Sequence, residues 1–377
     1  MTDICEFSPQ YVRAIAPYQP GMPISELARE YKLDEAGIIK LASNENPLGM
    51  SPLARAALEK EIAEIARYPD GNAFELKAAI ARRYAVSPEC IVVGNGSNDL
   101  LELVASAFLA PGRAAIMSQH AFAVYPLATQ ARGARLIVVP AKEFGHDLPG
   151  MAAAVTPETR VVFVANPNNP TGTFAPEPTV DEFLKRVPPE VVVVLDEAYN
   201  EYLPRGERYD SVKWLGRHPN LVIVRTFSKI YGLAGLRVGF GLMSSGIADL
   251  LNRVRQPFNV NSLALAAAAA ALLDNGFVHK SYELNRSGMQ DLEQAFRRLE
   301  VDWIPSCANF LSFRVPQRDG KPAAGAVYEE LLRRAVIVRP LGGYEMPDHL
   351  RVTVGLPEEN RRFLEALEQA LRQVRAG

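Results

Sequence analysis

Six short, uninterrupted apolar runs in the middle of the chain constrain the fold more than any other feature. Helical patterns separate most of them, and the runs occupy residues 91–93, 114–117, 136–139, 161–164, 191–195 and 221–224. Uninterrupted apolar strands are typical of a sheet that helices cover on both faces, and alternation of strands with helices favours parallel strands. The sequence therefore predicts an α/β fold with a mostly parallel central sheet covered by helices.

The two ends of the chain have different patterns from this middle part. Three prolines and a glycine between residues 17 and 23 indicate an arm with a short helix that is too small to fold alone. After the middle part come a long helical stretch, several short strands and a helix from Pro357. We therefore predict an arm at residues 1–45 that packs with the small domain, a large domain at 46–274, and a small α+β domain at 275–377.

Composition argues against several classes of protein. The 377 residues carry a formal net charge of −2 without a block of like charge, so nucleic acid is not expected as the main partner. Three cysteines and five histidines are scattered, which disfavours a disulfide framework or a metal site and fits a reducing compartment. The first residues lack a signal-peptide pattern, and the longest apolar run is shorter than the ~20 residues that a membrane span needs. We expect a cytoplasmic protein without a metal or a membrane partner.

Polar residues follow several predicted strands, at the sheet edge where ligands of open α/β sheets bind. Lys229 lies just past the run 221–224, and burial can lower the pKa of a lysine so that its neutral amine attacks an aldehyde. Arg237 offers a planar guanidinium that suits a phosphate. A solvated surface charge is the ordinary alternative for any single lysine.

Other strand ends carry side chains that could surround a planar heteroaromatic ring. Asp196 directly follows the run 191–195 and could keep a pyridine nitrogen protonated, with the Tyr199 phenol near a ring oxygen. Asn169 lies in a proline-fixed loop, and Phe122 could stack on the ring face. The ordinary alternatives are a helix-capping carboxylate, a tight turn and core packing.

The loop at residues 94–98, which reads GNGSN, precedes a predicted helix. Backbone amides at a helix N-terminus bind anions. A dinucleotide fingerprint fails because its third glycine would fall on Asp99, and the sequence has no Walker A loop. The loop is therefore predicted to hold a single phosphate, although a plain strand–helix turn stays open.

These features, in this order over nearly the whole chain, resemble the fold-type I enzymes of the aspartate aminotransferase superfamily, which use pyridoxal 5′-phosphate. Within that superfamily the sequence is most similar to the histidinol-phosphate aminotransferase family. The segments that carry the resemblance are 15–21 (IAPYQPG), 41–49 (LASNENPLG), 67–70 (RYPD), 166–172 (NPNNPTG), 196–199 (DEAY), 226–229 (TFSK) with Arg237, 308–310 (ANF) and 350–355 (LRVTVG).

The resemblance implies a role in cofactor binding for each matching residue, with Lys229, Asp196 and Tyr199 as the catalytic set. Lys229 would hold pyridoxal phosphate in a Schiff base and later move the proton, while Asp196 would pair with the pyridine nitrogen. Asn169 and Tyr199 would bind the 3′-oxygen, and Phe122, where the family often has tyrosine, would stack on the ring. The cofactor phosphate would be held by Gly96, Ser97, Asn98, Thr226, Ser228 and Arg237.

The resemblance also implies how the substrate and a second subunit are bound. Arg351 would bind the anionic group of the substrate, with Arg339 as a second candidate, and Tyr18 on the arm would close over it. Tyr68 would reach the cofactor phosphate of the partner subunit, so the functional unit would be a homodimer with shared active sites.

The implied reaction is a ping-pong transamination of L-histidinol phosphate with 2-oxoglutarate, which gives imidazole-acetol phosphate and L-glutamate in histidine biosynthesis. Arg351 would then accept a phosphate and a carboxylate in turn, as a bidentate guanidinium can. Two related activities stay open from the sequence: an aromatic-amino-acid aminotransferase and a threonine-phosphate decarboxylase. A cofactor-binding transcription regulator is disfavoured, because only a short arm precedes segment 41–49.

Overall fold

A computed structural model describes residues 3–317 and 320–376. In chain order its strands are β1 (Ile39–Lys40), β2 (Ile91–Gly94), β3 (Ala114–Ser118), β4 (Arg135–Val139), β5 (Thr159–Ala165), β6 (Val192–Asp196), β7 (Leu221–Thr226), β8 (Gly239–Met243), β9 (Trp303–Ile304), β10 (Phe310–Arg314), β11 (Val336–Ile337), β12 (Arg339–Pro340) and β13 (His349–Thr353). Its α-helices are α1 (Gln10–Arg13), α2 (Ile24–Tyr31), α3 (Pro52–Glu61), α4 (Phe74–Tyr84), α5 (Ser97–Phe108), α6 (Val124–Ala131), α7 (Leu148–Ala153), α8 (Glu177–Arg186), α9 (Ser245–Val254), α10 (Ser262–Ala271), α11 (Asn275–Arg298), α12 (Ala324–Arg333) and α13 (Pro357–Ala376).

The central sheet contains seven strands in the order β2-β8-β7-β6-β5-β3-β4. The pairs from β7 through β4 are parallel, whereas β8 runs antiparallel to both β2 and β7. Alternate residues of β6 pack into different cores, with Val193 and Leu195 on one face and Val192 and Val194 on the other. Both faces of the sheet are therefore covered, and the predicted strands are confirmed.

β8 is a strand that the sequence pattern did not predict. Gly239 and Gly241 interrupt its apolar run, and glycine weakens a strand pattern. A Cβ at Gly239 would lie 2.6 Å from the backbone nitrogen of Ser97. The glycine therefore allows β8 to lie directly against the loop that opens α5.

The C-terminal part builds a second, antiparallel sheet in the order β12-β13-β10-β9, packed with α11, α12 and α13 around a core of its own. One of the short strands expected in this part, β11, lies outside that sheet and pairs in parallel with β1 from the N-terminal segment. This pairing ties residues near 40 to the C-terminal part, while the domain boundaries at 45 and 274 stay predictions.

Within residues 3–317 and 320–376 no single helix has both the length and the apolar character to cross a bilayer. α10 and α11 meet those criteria only as a pair, and they are bent by 80° at the break between them.

Candidate active site

A cavity of about 390 Å³ lies at the carboxyl ends of β5, β6 and β7. Most of the predicted site residues line it: Tyr18, Ser97, Asn98, Phe122, Asn169, Asp196, Tyr199, Thr226, Ser228, Lys229, Arg237, Arg339 and Arg351. Gly96 and Tyr68 are not among its lining residues. The side chains that were expected at strand ends from the sequence therefore lie together in this cavity.

Lys229 lies three residues past the end of β7, where the chain turns under the cavity. Its Nζ donates a hydrogen bond to the carbonyl oxygen of Ser43 at 3.1 Å. Burial, helped by the positive charge of Arg351, lowers the pKa of Lys229 to about 8. Part of the Lys229 amine is therefore unprotonated near pH 7, and the unprotonated form is the one that attacks an aldehyde.

Asp196 is the last residue of β6, and its carboxylate is held from two sides. Oδ2 accepts a hydrogen bond from the Tyr125 hydroxyl at 2.9 Å, and Oδ1 accepts one from the backbone N–H of Ala198 at 3.2 Å. Burial nevertheless raises the pKa of Asp196 to about 6. Tyr125 is buried and stacks on Phe163, with ring centroids 4.8 Å apart. Sequence reasoning assigned Tyr125 no role.

Tyr199 is positioned by an asparagine whose role was also not predicted. Asn44 donates its side-chain N–H to the Tyr199 hydroxyl at 2.8 Å, and Asn309 donates to the backbone carbonyl of Asn44 at 3.0 Å. Burial raises the pKa of Tyr199 to about 12, so its hydroxyl stays protonated and can donate. Both asparagines lie in segments that carried the family resemblance, which was the available signal.

The loop before α5 and Arg237 form a cradle suited to a phosphate. α5 begins at Ser97, so its free amides face the loop, and Gly96 has a φ of +81°. Arg237 Nη1 donates to Ser228 Oγ at 3.4 Å and to the Ala234 carbonyl at 3.0 Å. A Cβ on Gly96 would lie 2.5 Å from Arg237 Nη2, so glycine makes room for the guanidinium.

Two arginines lie side by side on neighbouring strands of the C-terminal sheet, where Arg339 of β12 pairs with Arg351 of β13. Arg351 is buried, with Nη1 hydrogen-bonded to Asn169 Oδ1 and Nη2 donating to the Ala42 carbonyl at 2.8 Å. Its Nε has no hydrogen-bond partner among the described residues. Arg339 donates instead to the Gln19 carbonyl at 2.8 Å, and its guanidinium carbon lies 5.7 Å from the Tyr18 ring centroid.

The loop at 166–172 joins the two sheets beside the cavity. Asn166 donates its backbone N–H to the Asp196 carbonyl at 2.9 Å, on the central-sheet side. On the other side, Ser312 Oγ donates to the Pro170 carbonyl at 2.6 Å, and the Cys307 N–H donates to the Gly172 carbonyl at 2.8 Å. Asn169 is thereby presented to the cavity from a loop fixed at both ends.

Two aromatic residues from the predicted set, Phe122 and Tyr68, make ring contacts and do not join the hydrogen bonds described above. Phe122 lines the cavity and packs edge-on against Tyr125, with centroids 5.8 Å apart. Tyr68 is 83% exposed, stacks on Phe258 with centroids 4.8 Å apart, and does not line the cavity.

A half-buried lysine, a buried aspartate and an arginine–amide cradle thus lie together at the strand ends of one α/β sheet. The chain belongs to the class I and II aminotransferase family, whose model matches residues 36–367. It is 59% identical to histidinol-phosphate aminotransferase 2 of Nitrosospira multiformis, over 98% of this chain and 93% of that protein. It is also 60% identical to histidinol-phosphate aminotransferase 1 of Dechloromonas aromatica, over 96% of this chain and 98% of that one.

Among solved structures, the histidinol-phosphate aminotransferase of Sinorhizobium meliloti, in complex with pyridoxal 5′-phosphate, matches with a TM-score of 0.90. It is 27% identical to this chain, and the match covers 99% of each chain. The fold-type I architecture and the family resemblance predicted from the sequence are confirmed. The roles of individual residues stay predictions.

Proposed function

We propose that this aminotransferase transfers the amino group of L-histidinol phosphate to 2-oxoglutarate, giving imidazole-acetol phosphate and L-glutamate in histidine biosynthesis. The observation that carries the proposal is that Lys229, Asp196 and the neighbouring pair Arg339 and Arg351 line one cavity. The 57–60% identity to curated histidinol-phosphate aminotransferases supports the choice of substrate. Neither the aromatic-amino-acid aminotransferase nor the decarboxylase alternative is favoured by these relatives.

The cofactor is pyridoxal 5′-phosphate, and the site fits it on its own geometry. The cofactor supplies an aldehyde carbon that takes up the amino group and a ring that withdraws electrons from the Cα–H bond. Arg237, the hydroxyl groups of Thr226 and Ser228, and the amides at residues 96–98 would hold its phosphate. The missing Cβ at Gly96 leaves room for this contact.

The remaining side chains of the cavity would orient the ring and hold its proton. Asp196, ionised above about pH 6, would hold a proton on the ring nitrogen. Asn169 and the protonated Tyr199 would hydrogen-bond the ring oxygen, and Phe122 would cover one ring face. Lys229 would bind the cofactor carbon and, once displaced by the substrate amine, would move the proton from the substrate Cα.

Arg351 would bind the phosphate of the substrate and, in the second half-reaction, a carboxylate. Its unpaired Nε and its place beside Asn169 support this role. Arg339 and Tyr18 would close the arm over the bound substrate, because both line the cavity and contact each other.

The functional unit would be a homodimer located in the cytoplasm. Tyr68 is exposed and does not line the cavity of its own subunit, which fits a residue that reaches the cofactor phosphate of the partner subunit.

Absorbance and kinetics test this proposal together. The wild type should absorb visible light through its covalently bound cofactor, and Lys229→Ala should lose both that band and turnover. Lys213→Ala, on the surface, is the matched control. Higher kcat/KM for phenylalanine than for histidinol phosphate, or carbon dioxide release without 2-oxoglutarate, would contradict the substrate assignment.

A further inference from the structure

The cavity contains one carboxylate that the proposed reaction does not use. Among the described residues that line it, the charged side chains are Lys229, Arg237, Arg339, Arg351, Asp196 and Glu45. Asp196 is already bonded to Tyr125 and to the backbone at the end of β6. Glu45 is therefore the acid that can accept a hydrogen bond from a substrate.

Glu45 follows directly on two residues that position the reacting groups. The Ser43 carbonyl accepts the hydrogen bond from Lys229, and Asn44 holds the Tyr199 hydroxyl at 2.8 Å. Burial lowers the pKa of Lys229, and the negative charge of Glu45 opposes that shift. The carboxylate of Glu45 is thus within electrostatic reach of the amine.

Lys40 pairs with the carboxylate of Glu45 but leaves some of its acceptor positions free. Lys40 Nζ lies 3.2 Å from each carboxylate oxygen, and the Glu45 side chain is 47% exposed. An ion pair this exposed contributes little, so Glu45 does not depend on Lys40 for its charge or its place in the cavity. A carboxylate has about four acceptor positions, so both oxygens can still accept a further hydrogen bond.

We propose that Glu45 recognises the ring of the substrate by accepting a hydrogen bond from an imidazole N–H, an assignment that rests on the proposed function. Histidinol phosphate presents an amine, a phosphate and a ring that carries an N–H donor. The amine would take the place of Lys229, Arg351 would bind the phosphate, and Glu45 would bind the ring N–H.

This contact would also select against benzene rings. A phenyl group has no donor, so its binding would take water from the Glu45 carboxylate without replacing the hydrogen bond. Sites that hydrogen-bond a substrate group reject analogues that lack the group much more strongly than apolar pockets reject a change of size. Glu45 would therefore separate histidinol phosphate from phenylalanine-like amines.

Two substrates that differ only in their ring test the proposal. They are histidinol phosphate and phenylalaninol phosphate, which share the amine and the phosphate. The ratio of their kcat/KM values should fall about 30-fold in Glu45→Leu, mainly through a higher KM for the imidazole substrate. Glu45→Gln keeps an acceptor oxygen and should lose about fivefold, which provides a second variant if the leucine variant folds poorly.

Lys40→Met is the matched control, because it removes the ion pair and keeps Glu45. Its substrate ratio should stay within about threefold of the wild type. An unchanged ratio in Glu45→Leu, or an equal loss in Lys40→Met, would overturn the assignment and reduce Glu45 to a structural role. A wild type that does not turn over histidinol phosphate at all would overturn the proposed function itself, which keeps the two failures distinct.

Discussion

Burial moves the pKa values of the two central site residues towards each other from opposite sides. It raises the pKa of Asp196 to about 6 and lowers that of Lys229 to about 8. The cause is the same for both, because surroundings of low dielectric disfavour the charged form of any group. Near pH 7 the carboxyl is largely ionised, and a fraction of the amine is already neutral.

Tyr125→Phe tests how far Asp196 depends on its neighbour. The variant removes the hydroxyl that donates to Asp196 Oδ2 at 2.9 Å, a bond that favours the ionised carboxylate. The pKa of Asp196 should therefore rise above about 6, and the acidic limb of the pH–kcat profile should move to higher pH. We expect kcat at neutral pH to fall about tenfold. Tyr31→Phe, which removes a surface hydroxyl bonded to Glu329, should leave the profile in place.

Gly96→Ala tests the phosphate cradle against a control with the same backbone conformation. The new Cβ would push into Arg237 Nη2, and the φ of +81° also strains any other residue. Gly112 has a φ of +83°, and among the described residues no atom lies within 4 Å of its Cβ position. Both variants should lose about 1 kcal/mol of stability, but only Gly96→Ala should weaken cofactor affinity, by about tenfold or more. Equal cofactor affinities in the two variants would show that Gly96 and Arg237 do not form the phosphate site.

At the residue scale, site residues that follow strands could be predicted from the sequence. Site residues whose hydrogen-bond partners lie far away in the chain could not. Lys229, Asp196 and Asn169 each lie at or just beyond a strand end, where the sheet geometry alone brings them together. Tyr125 lies 71 positions from Asp196 in the chain, and Asn44 lies 155 positions from Tyr199. Those hydrogen bonds depend on tertiary packing, which a single sequence does not encode locally.

Among the elements, strands with continuous apolar runs were predictable, whereas the glycine-bearing β8 and the two-residue β1 were not. β6 has four consecutive apolar residues before Asp196, whereas β8 carries Gly239 and Gly241. β1 has only two residues and exists because β11 pairs with it. Periodicity needs more than two residues to give a signal.

The alanine-rich helix α10 provides a prediction at the scale of an element. It packs along α3, and its Ala264, Ala267, Ala268 and Ala271 are fully buried. Ala267→Leu would insert a larger side chain into this seam and should lower the free energy of unfolding by about 1–3 kcal/mol in denaturant titrations. Ala270→Leu, on the partly buried side, should cost less than about 1 kcal/mol, because the two residues have similar helix propensities. Similar losses in both variants would mean that the helices are not closely packed.

On the whole-molecule scale, several exposed apolar side chains lie near Tyr68 in the sequence. Ile62, Ile65, Tyr68 and Phe74 are each more than half exposed within one short stretch of chain. Clusters of exposed apolar residues mark interaction sites more often than scattered ones do. The proposed homodimer would cover this stretch and bring Tyr68 to the second active site.

Mixed dimers test whether the active sites are shared. Alone, Lys229→Ala should be inactive and Tyr68→Ala weakly active. After the two variants are unfolded and refolded together, half of the dimers should be mixed, and each should contain one intact site with Lys229 from one subunit and Tyr68 from the other. Activity should therefore recover to about 25% of the wild type. If the refolded mixture shows only the mean of the two variants' separate activities, the active sites are not shared between subunits.

The loop at 166–172 links two parts of the chain that are far apart in sequence. Its hydrogen bonds join the end of β6 on one side and residues 307 and 312 on the other. In amide hydrogen-exchange experiments the Asn166 amide, which donates to Asp196, and the Cys307 amide, which donates to Gly172, should lose protection together when the loop opens, since they tie it to different parts of the chain. The segment that presents Asn169 would thus report on local unfolding in both parts, and loss of its protection would precede loss of protection within the central sheet.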